Sequence, residues 1–270
     1  MTSRQITTSS GARLGITGYG DPASGRLVVL FHPAPGASRF DPDPAATGHW
    51  GVRLLGIERP GYGASDPAGK APSFVRFADD VAEYLRRIET NAEQIGTVPF
   101  HSVGAVGWGV GAIAAAVLAA RHPRQVDALL LVDAPADARL DDLHAPFQLA
   151  DLGIGDEPAA EAAHPDILRR VGRMLDDAGR QGEAGIDFDR AALDADDWKD
   201  RLGGIDVPTV LVYGDDHPFV RADRDGAWLS DRIPSARVVR VPDVAGLAVG
   251  AVWSRILTHV APEHGATADE

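Results

Sequence analysis

The chain contains no cysteine. That excludes disulfides, thiolate nucleophiles and thiolate metal sites. Lysine is scarce as well, at 70 and 199 only, while arginine is common. With abundant alanine and glycine, this reads as a GC-rich coding bias. Positive charge is short overall: 26 basic against 39 acidic residues leave a formal net charge of −13. Such a surface disfavours nucleic acid and anionic membranes, which need basic patches. No uninterrupted apolar run approaches a membrane span. Met1-Thr2-Ser3-Arg4-Gln5 carries no apolar signal region, so a cytoplasmic location is expected. The His and Asp residues lack a recognisable metal-ligand spacing, and no glycine loop has the Lys-Ser/Thr or third glycine of a phosphate cradle. No metal or other cofactor is expected.

What is present is a globular α/β pattern. A chain of 270 residues with 44% hydrophobic and 24% charged content suits one large domain with a small insertion. Residues 4–19 alternate weakly around Ser9-Ser10-Gly11 and read as a hairpin. Leu27 to Phe31, Val52 to Ile57, Val103 to Val106, Ala128 to Val132, Thr209 to Tyr213 and Arg237 to Val241 are short apolar runs, the pattern of strands buried on both faces. Ser73 caps a helix whose stripe is Phe74, Phe77, Val81, Leu85 and Ile88. A last helix is expected over roughly 248–259. Strands separated by helical stretches predict a mostly parallel sheet flanked by helices, with ligands beyond the C-terminal strand ends. The core comprises 1–134 and 204–262. Between them, 135–203 is rich in Ala, Asp, Glu and Arg and lacks strand signals. Ile167, Leu168, Val171, Met174 and Leu175 mark an amphipathic helix there, and the whole reads as a helical cap insertion. Residues 263–270 read as a mobile tail.

One pentapeptide organises the chain. Gly107-Trp108-Gly109-Val110-Gly111 ends an apolar strand and opens the Ala-rich helical run from Ala112. Strand, tight turn and helix make the layout of a nucleophile elbow, Gly-x-Ser-x-Gly. Here the central residue is Gly109, so nothing at the elbow can attack.

Several motifs in register with that elbow resemble the α/β-hydrolase superfamily over nearly the whole chain. They are His32-Pro33-Ala34-Pro35-Gly36, Arg59 to Asp66, Arg121-His122-Pro123, Leu131-Val132-Asp133, Pro208 to Pro218 and Val241 to Leu247. The resemblance implies an α/β-hydrolase fold and a Ser, Asp and His triad in that chain order. Placed residue by residue, the nucleophile position is Gly109 and the base position is Gly246. The acid position is His217, or Asp216 if the turn is shifted by one. The two essential roles of acyl-enzyme hydrolysis are therefore empty. The oxyanion hole needs only backbone N–H groups, and the resemblance assigns them to Ala34 and Val110, with the dipole of the following helix. Pro33 removes one donor from that loop but spares Ala34.

The surviving candidates each carry two readings. His217 beside Asp216 is an acid/base pair or a loop histidine before proline. His32 is a pocket residue or a structural histidine bonded to loop backbone. Asp133 is an alternative acid at a strand end or a capping residue. Trp108 stacks on a flat substrate or packs beneath the cap. Gly109, Gly246 and Leu247 are expected to line the substrate pocket, with the two glycines enlarging it for a bulky ligand. His144 and His164 lie in the insertion without an assigned role. Tyr62 and the Glu58-Arg59 pair read as loop architecture.

Three functions follow. The first is a cofactor-independent lyase, cyclase or isomerase acting on a mid-sized, partly apolar metabolite, of the kind found in secondary metabolism. The second is a small-molecule-binding protein on a hydrolase scaffold. The third is an unconventional hydrolase in which His217 or His32 activates water. The partner in each is a small molecule, with no nucleic acid or membrane, and the chain acts as a monomer or homodimer.

Overall fold

Along the central strands, alternate side chains enter two separate apolar clusters, one on each face of the sheet. Leu27, Val29 and Phe31 point into the first, and Val28 and Leu30 into the second. Both faces are covered, which is why these strands are continuously apolar in sequence.

The computed structural model describes residues 2–69, 71–95, 100–138, 140–155 and 165–262. The strands are β1 (Thr2–Thr7), β2 (Arg13–Gly20), β3 (Arg26–Phe31), β4 (Arg53–Ile57), β5 (Ser102–Trp108), β6 (Ala128–Val132), β7 (Thr209–Gly214) and β8 (Ala236–Val241). They form one eight-stranded sheet in the order β1-β2-β4-β3-β5-β6-β7-β8. β1–β2 and β2–β4 pair antiparallel; every other pair is parallel. After β3 the chain turns to one side for β4 and then to the other for β5. The crevice beyond the ends of β3 and β5 is therefore the topological switch point, where open α/β sheets hold ligands.

The helices are α1 (Pro44–His49), α2 (Phe74–Ile95), α3 (Gly111–Arg121), α4 (Pro165–Ala178), α5 (Ala184–Asp194), α6 (Ala227–Ser230), α7 (Ala248–Ala251) and α8 (Trp253–Val260). Ser73 caps α2, its hydroxyl accepting from the N–H groups of Val75 and Arg76 at 3.1 and 3.4 Å. The α2 stripe is buried from Phe74 to Leu85 in the first cluster, under the sheet face that α3 also covers. No described helix is long and apolar enough to cross a membrane.

One local expectation is corrected. The last helix is not continuous: Val252 leaves helical geometry at φ −122° and divides α7 from α8. Beyond the break Trp253 is buried, its indole N–H donating to Thr47 Oγ1 at 2.9 Å. Between β7 and β8, a π-helical turn over Ala222–Gly226 leads into α6; these turns are too short for a periodic pattern to reveal them.

The described residues between β6 and β7 hold α4, α5 and three 3₁₀ turns at Leu149–Leu152, Gly179–Gln181 and Lys199–Gly204, and no strand. α4 packs into the second cluster through Ile167, Val171 and Met174, whereas α5 packs into the first through Ile186 and Phe188. The segment thus reaches both faces of the sheet. His164 and the 263–270 tail lie outside the described residues.

Candidate functional site

The elbow has the geometry its glycine suggests. β5 ends at Trp108, and Gly109 sits at φ +56°, a conformation that glycine adopts without strain. Its N–H donates to the Val132 carbonyl at 2.9 Å, and its own carbonyl accepts from Ala112 as α3 starts. A Cβ built on Gly109 would lie 3.3 Å from Pro33 Cβ. Pro33 therefore lies across the position where a nucleophile's side chain would project.

The two candidate oxyanion donors remain free. Neither the Ala34 nor the Val110 N–H has a protein acceptor among the described residues, and both residues are buried. α3 has no side-chain cap at Val110, so its N-terminal dipole is uncompensated from within.

The base position is closed. A Cβ on Gly246 would lie 2.0 Å from the Leu152 carbonyl oxygen and 3.0 Å from Gly153 C. The Gly246 N–H donates to the Gly153 carbonyl at 3.1 Å. The expectation that glycine here enlarges the pocket is thus corrected: backbone from the 3₁₀ turn fills the space a histidine would need. Leu247 and Trp108 are also redirected. Both are buried in the second apolar cluster, with the Trp108 ring 5.4 Å from that of Phe40. They pack the interior beside the elbow.

Both candidate histidines are engaged by backbone. His32 Nδ1 lies 2.8 Å from the Pro33 carbonyl, and Nε2 accepts the Arg59 N–H at 3.1 Å. Its proton is therefore on Nδ1, and no lone pair remains for a substrate. Burial and then the Arg59 charge hold its pKa well below the ordinary value. His217 is the mirror case. Its Nδ1 accepts from the N–H groups of Phe219 and Val220 at 3.2 and 3.3 Å, which leaves the proton on Nε2. Burial lowers its pKa to about 4. It remains neutral at pH 7 and is a donor, not a base. The neighbouring carboxylate acting on it is Asp225; Asp216 is exposed. Imidazole NMR is expected to show His217 as the Nε2–H tautomer, titrating near 4. A midpoint above 6 would contradict this assignment.

Asp133 differs from the histidines. It follows β6 at φ +47° and is fully buried. Oδ1 accepts the Gly214 N–H at 3.0 Å, but Oδ2 has no partner. Burial raises its pKa to about 7. A carboxyl with a raised folded pKa binds its proton more tightly folded than unfolded. Stability is then highest below the unfolded pKa and falls as pH rises from about 4 to about 7. Asp133→Asn is expected to flatten that slope and to be more stable than the parent above pH 7 by a few kcal/mol. Urea titrations at several pH values measure it; an unchanged slope would count against a buried, protonated Asp133.

The largest polar feature beside the elbow is one the motif comparison left aside. Arg59 and Asp189 form a fully buried two-bond ion pair, with Nε–Oδ1 and Nη2–Oδ2 both at 2.7 Å. Tyr62 donates to Asp189 Oδ2 at 2.7 Å, and Arg59 Nη2 donates to the Pro33 carbonyl at 3.0 Å. Asp189 belongs to α5, so this network ties the segment after β6 to both loops of the crevice. Tyr62 and Arg59 are loop architecture in that sense. Asp189 carries no sequence signal, because one Asp in an acidic helix looks like all the others. At the same contact the missing side chain of Gly61 faces the Ala184 backbone at 2.5 Å. His144, by contrast, is exposed and pairs with Glu183.

Among the described residues, no group of three or more His, Asp or Glu side chains is placed to hold a metal ion. A 400 Å³ cleft lies between residues 60–73 and α2, and a 60 Å³ hollow lies between β8 and α8; neither is lined by Gly109 or Gly246.

Residues 26–181 match the family described as alpha/beta hydrolase fold. The chain belongs to the α/β-hydrolase family. It is also 30% identical over 240 residues to a pimeloyl-[acyl-carrier protein] methyl ester esterase of Neisseria meningitidis serogroup A, covering 81% of this chain and 70% of that protein. Two solved structures share the fold with a TM-score of 0.68. The enol-lactonase from Burkholderia xenovorans has 19% identity and covers 94% of this chain and 98% of its own. The thioesterase domain from the curacin biosynthetic pathway has 18% identity and covers 96% and 99%. The sheet order and elbow seen here are those of an α/β-hydrolase.

Proposed function

We propose that this α/β-hydrolase-fold chain binds the carbonyl or carboxylate oxygen of a small, partly apolar metabolite at the Ala34 and Val110 amides, and that it does not hydrolyse its ligand through an acyl-enzyme. One observation carries the reading: among the described residues the Ala34 and Val110 N–H groups have no protein acceptor, and Gly109, next to Val110, carries no side chain. An acyl-enzyme needs an oxygen nucleophile and a base to take its proton. Gly109 supplies neither, and the His32 and His217 lone pairs are occupied by backbone. Pro33 over position 109 and the filled space at 246 favour a small head group over the bulky substrate expected from the glycines. The relative's ester substrate is consistent with a carbonyl oxygen as the recognised atom.

Two experiments test this. Purified protein is incubated with host extract, re-isolated, and its bound small molecules are weighed by mass spectrometry. A ligand recovered at unchanged mass is expected; conversion to a product would end the binding reading. In the second, Gly109→Ser places an alcohol at the elbow. It is expected to fold with a loss of about 1–2 kcal/mol, since a side chain is strained at positive φ. Without a base, it is expected to give no burst of p-nitrophenol from p-nitrophenyl butyrate. A burst would mean that a base is present after all.

A second reading is favoured by Asp133. Its Oδ2 is unpartnered, and its carboxyl remains protonated to about pH 7. That is one proton-transfer group within a non-hydrolytic lyase, cyclase or isomerase. Under this reading Asp133→Asn retains the ligand but loses its conversion. The insertion over 135–203 then acts as the cap that excludes water, held by Asp189.

A further inference from the structure

We propose that the hollow between β8 and α8 binds a small aliphatic carboxylate, with its chain on the valine floor and its carboxylate held by Arg237 and Arg255. The site is on a flank of the sheet and independent of the elbow.

β8 is the last strand of the sheet and pairs only with β7. Its alternate residues Arg237, Val239 and Val241 line the hollow. Val210 and Val212 of β7 continue the floor, and Arg255 and Ile256 of α8 form the opposite wall. The space is about 60 Å³ and open to solvent. It admits the end of a short alkyl chain, not a ring system.

Charge identifies the other half of the ligand. The chain has 13 more acidic than basic residues, and arginines such as Arg59, Arg121 and Arg221 are held by carboxylates. Arg240 on the other side of β8 pairs with Asp215 at 2.6 Å. Arg237 and Arg255 have no carboxylate or carbonyl partner among the described residues, and both line the same hollow. His259 completes the rim. Its Nε2 donates to the Leu129 and Pro208 carbonyls at 3.1 and 3.2 Å, so that N–H is spent on backbone, and burial lowers its pKa from the ordinary value. The cations of the hollow are thus two guanidinium groups, each with its donors free. A guanidinium matches a carboxylate bidentately, and an apolar floor beside it selects an anion carrying an alkyl chain over an inorganic one.

Hexanoate is the probe, with hexanol and hexylammonium as controls, titrated into the full chain and followed by ¹⁵N chemical shifts. Hexanoate is expected to shift β7, β8 and α8 amides saturably. Hexanol is expected to bind at least about tenfold more weakly, because a charge-assisted pair is lost. Hexylammonium is expected not to compete. Arg237→Gln with Arg255→Gln is expected to weaken hexanoate at least about tenfold while leaving the amide spectrum elsewhere unchanged. Equal binding of hexanoate and hexanol, unchanged affinity in the double variant, or shifts confined to the elbow loops would each overturn the proposal. A concentration-dependent dimer abolished by the same two substitutions would also overturn it, assigning the hollow to the acidic surface of a second copy.

Discussion

Asp189→Ala is expected to destabilise the fold by about 3–5 kcal/mol, because it leaves the Arg59 guanidinium buried without its counter-charge. Both partners of the pair are fully buried. The loss extends beyond the pair. Tyr62 loses the acceptor of its hydroxyl, and Arg59 is freed from the geometry in which it also holds the His32 and Pro33 carbonyls. A urea midpoint measures the effect. The charge argument has its own control: Arg59→Met with Asp189→Leu removes both ions together and is expected to recover most of the loss, since apolar replacement of a buried pair is often neutral or better. If the single variant costs no more than an exposed Asp→Ala, the pair is not the clamp described. If the double variant is as poor as the single, packing rather than unpaired charge is responsible.

Gly246→His is expected to be more damaging than Gly109→Ser. A Cβ at 246 falls 2.0 Å from a carbonyl oxygen, far inside van der Waals contact, and the atom it meets is backbone rather than a movable side chain. Overpacking alone costs about 1–3 kcal/mol, and displacing the 152–153 backbone adds the hydrogen bond from Gly246 to Gly153. The consequence is functional: Gly109→Ser with Gly246→His is not expected to restore ester hydrolysis, although it restores both residue types. A stable double variant that turns over p-nitrophenyl butyrate would mean that the 152–153 turn moves aside readily. A failed variant that does not fold leaves Gly246→Ala as the sharper test. It carries only the Cβ, and a thermal midpoint unchanged from the parent would refute the contact.

These two sites differ in what the chain declares about them. Gly109 and Gly246 are legible as departures because the motifs around them are local: Gly107 to Gly111 and Val241 to Leu247 each lie within one turn or loop. Asp189 is silent because its partner is 130 residues away in sequence, and nothing local distinguishes a clamping Asp from a solvated one.

The sequence by itself determined the sheet, its two-faced core and the elbow turn, since continuous apolar runs, capped stripes and glycine pairs are short-range signals that local physics enforces. It also determined that positions 109 and 246 carry no side chain. The meaning of those absences was decided only by tertiary structure. Glycine in a sequence reads as empty space, yet at 246 the space is filled by another segment's backbone. Histidine reads as acid or base, yet His32 spends its lone pair on the Arg59 N–H of another loop and His217 on the N–H groups of Phe219 and Val220 in its own. For His32 and Gly246 the deciding contacts join segments far apart in the chain, and residue types in order carry no record of them.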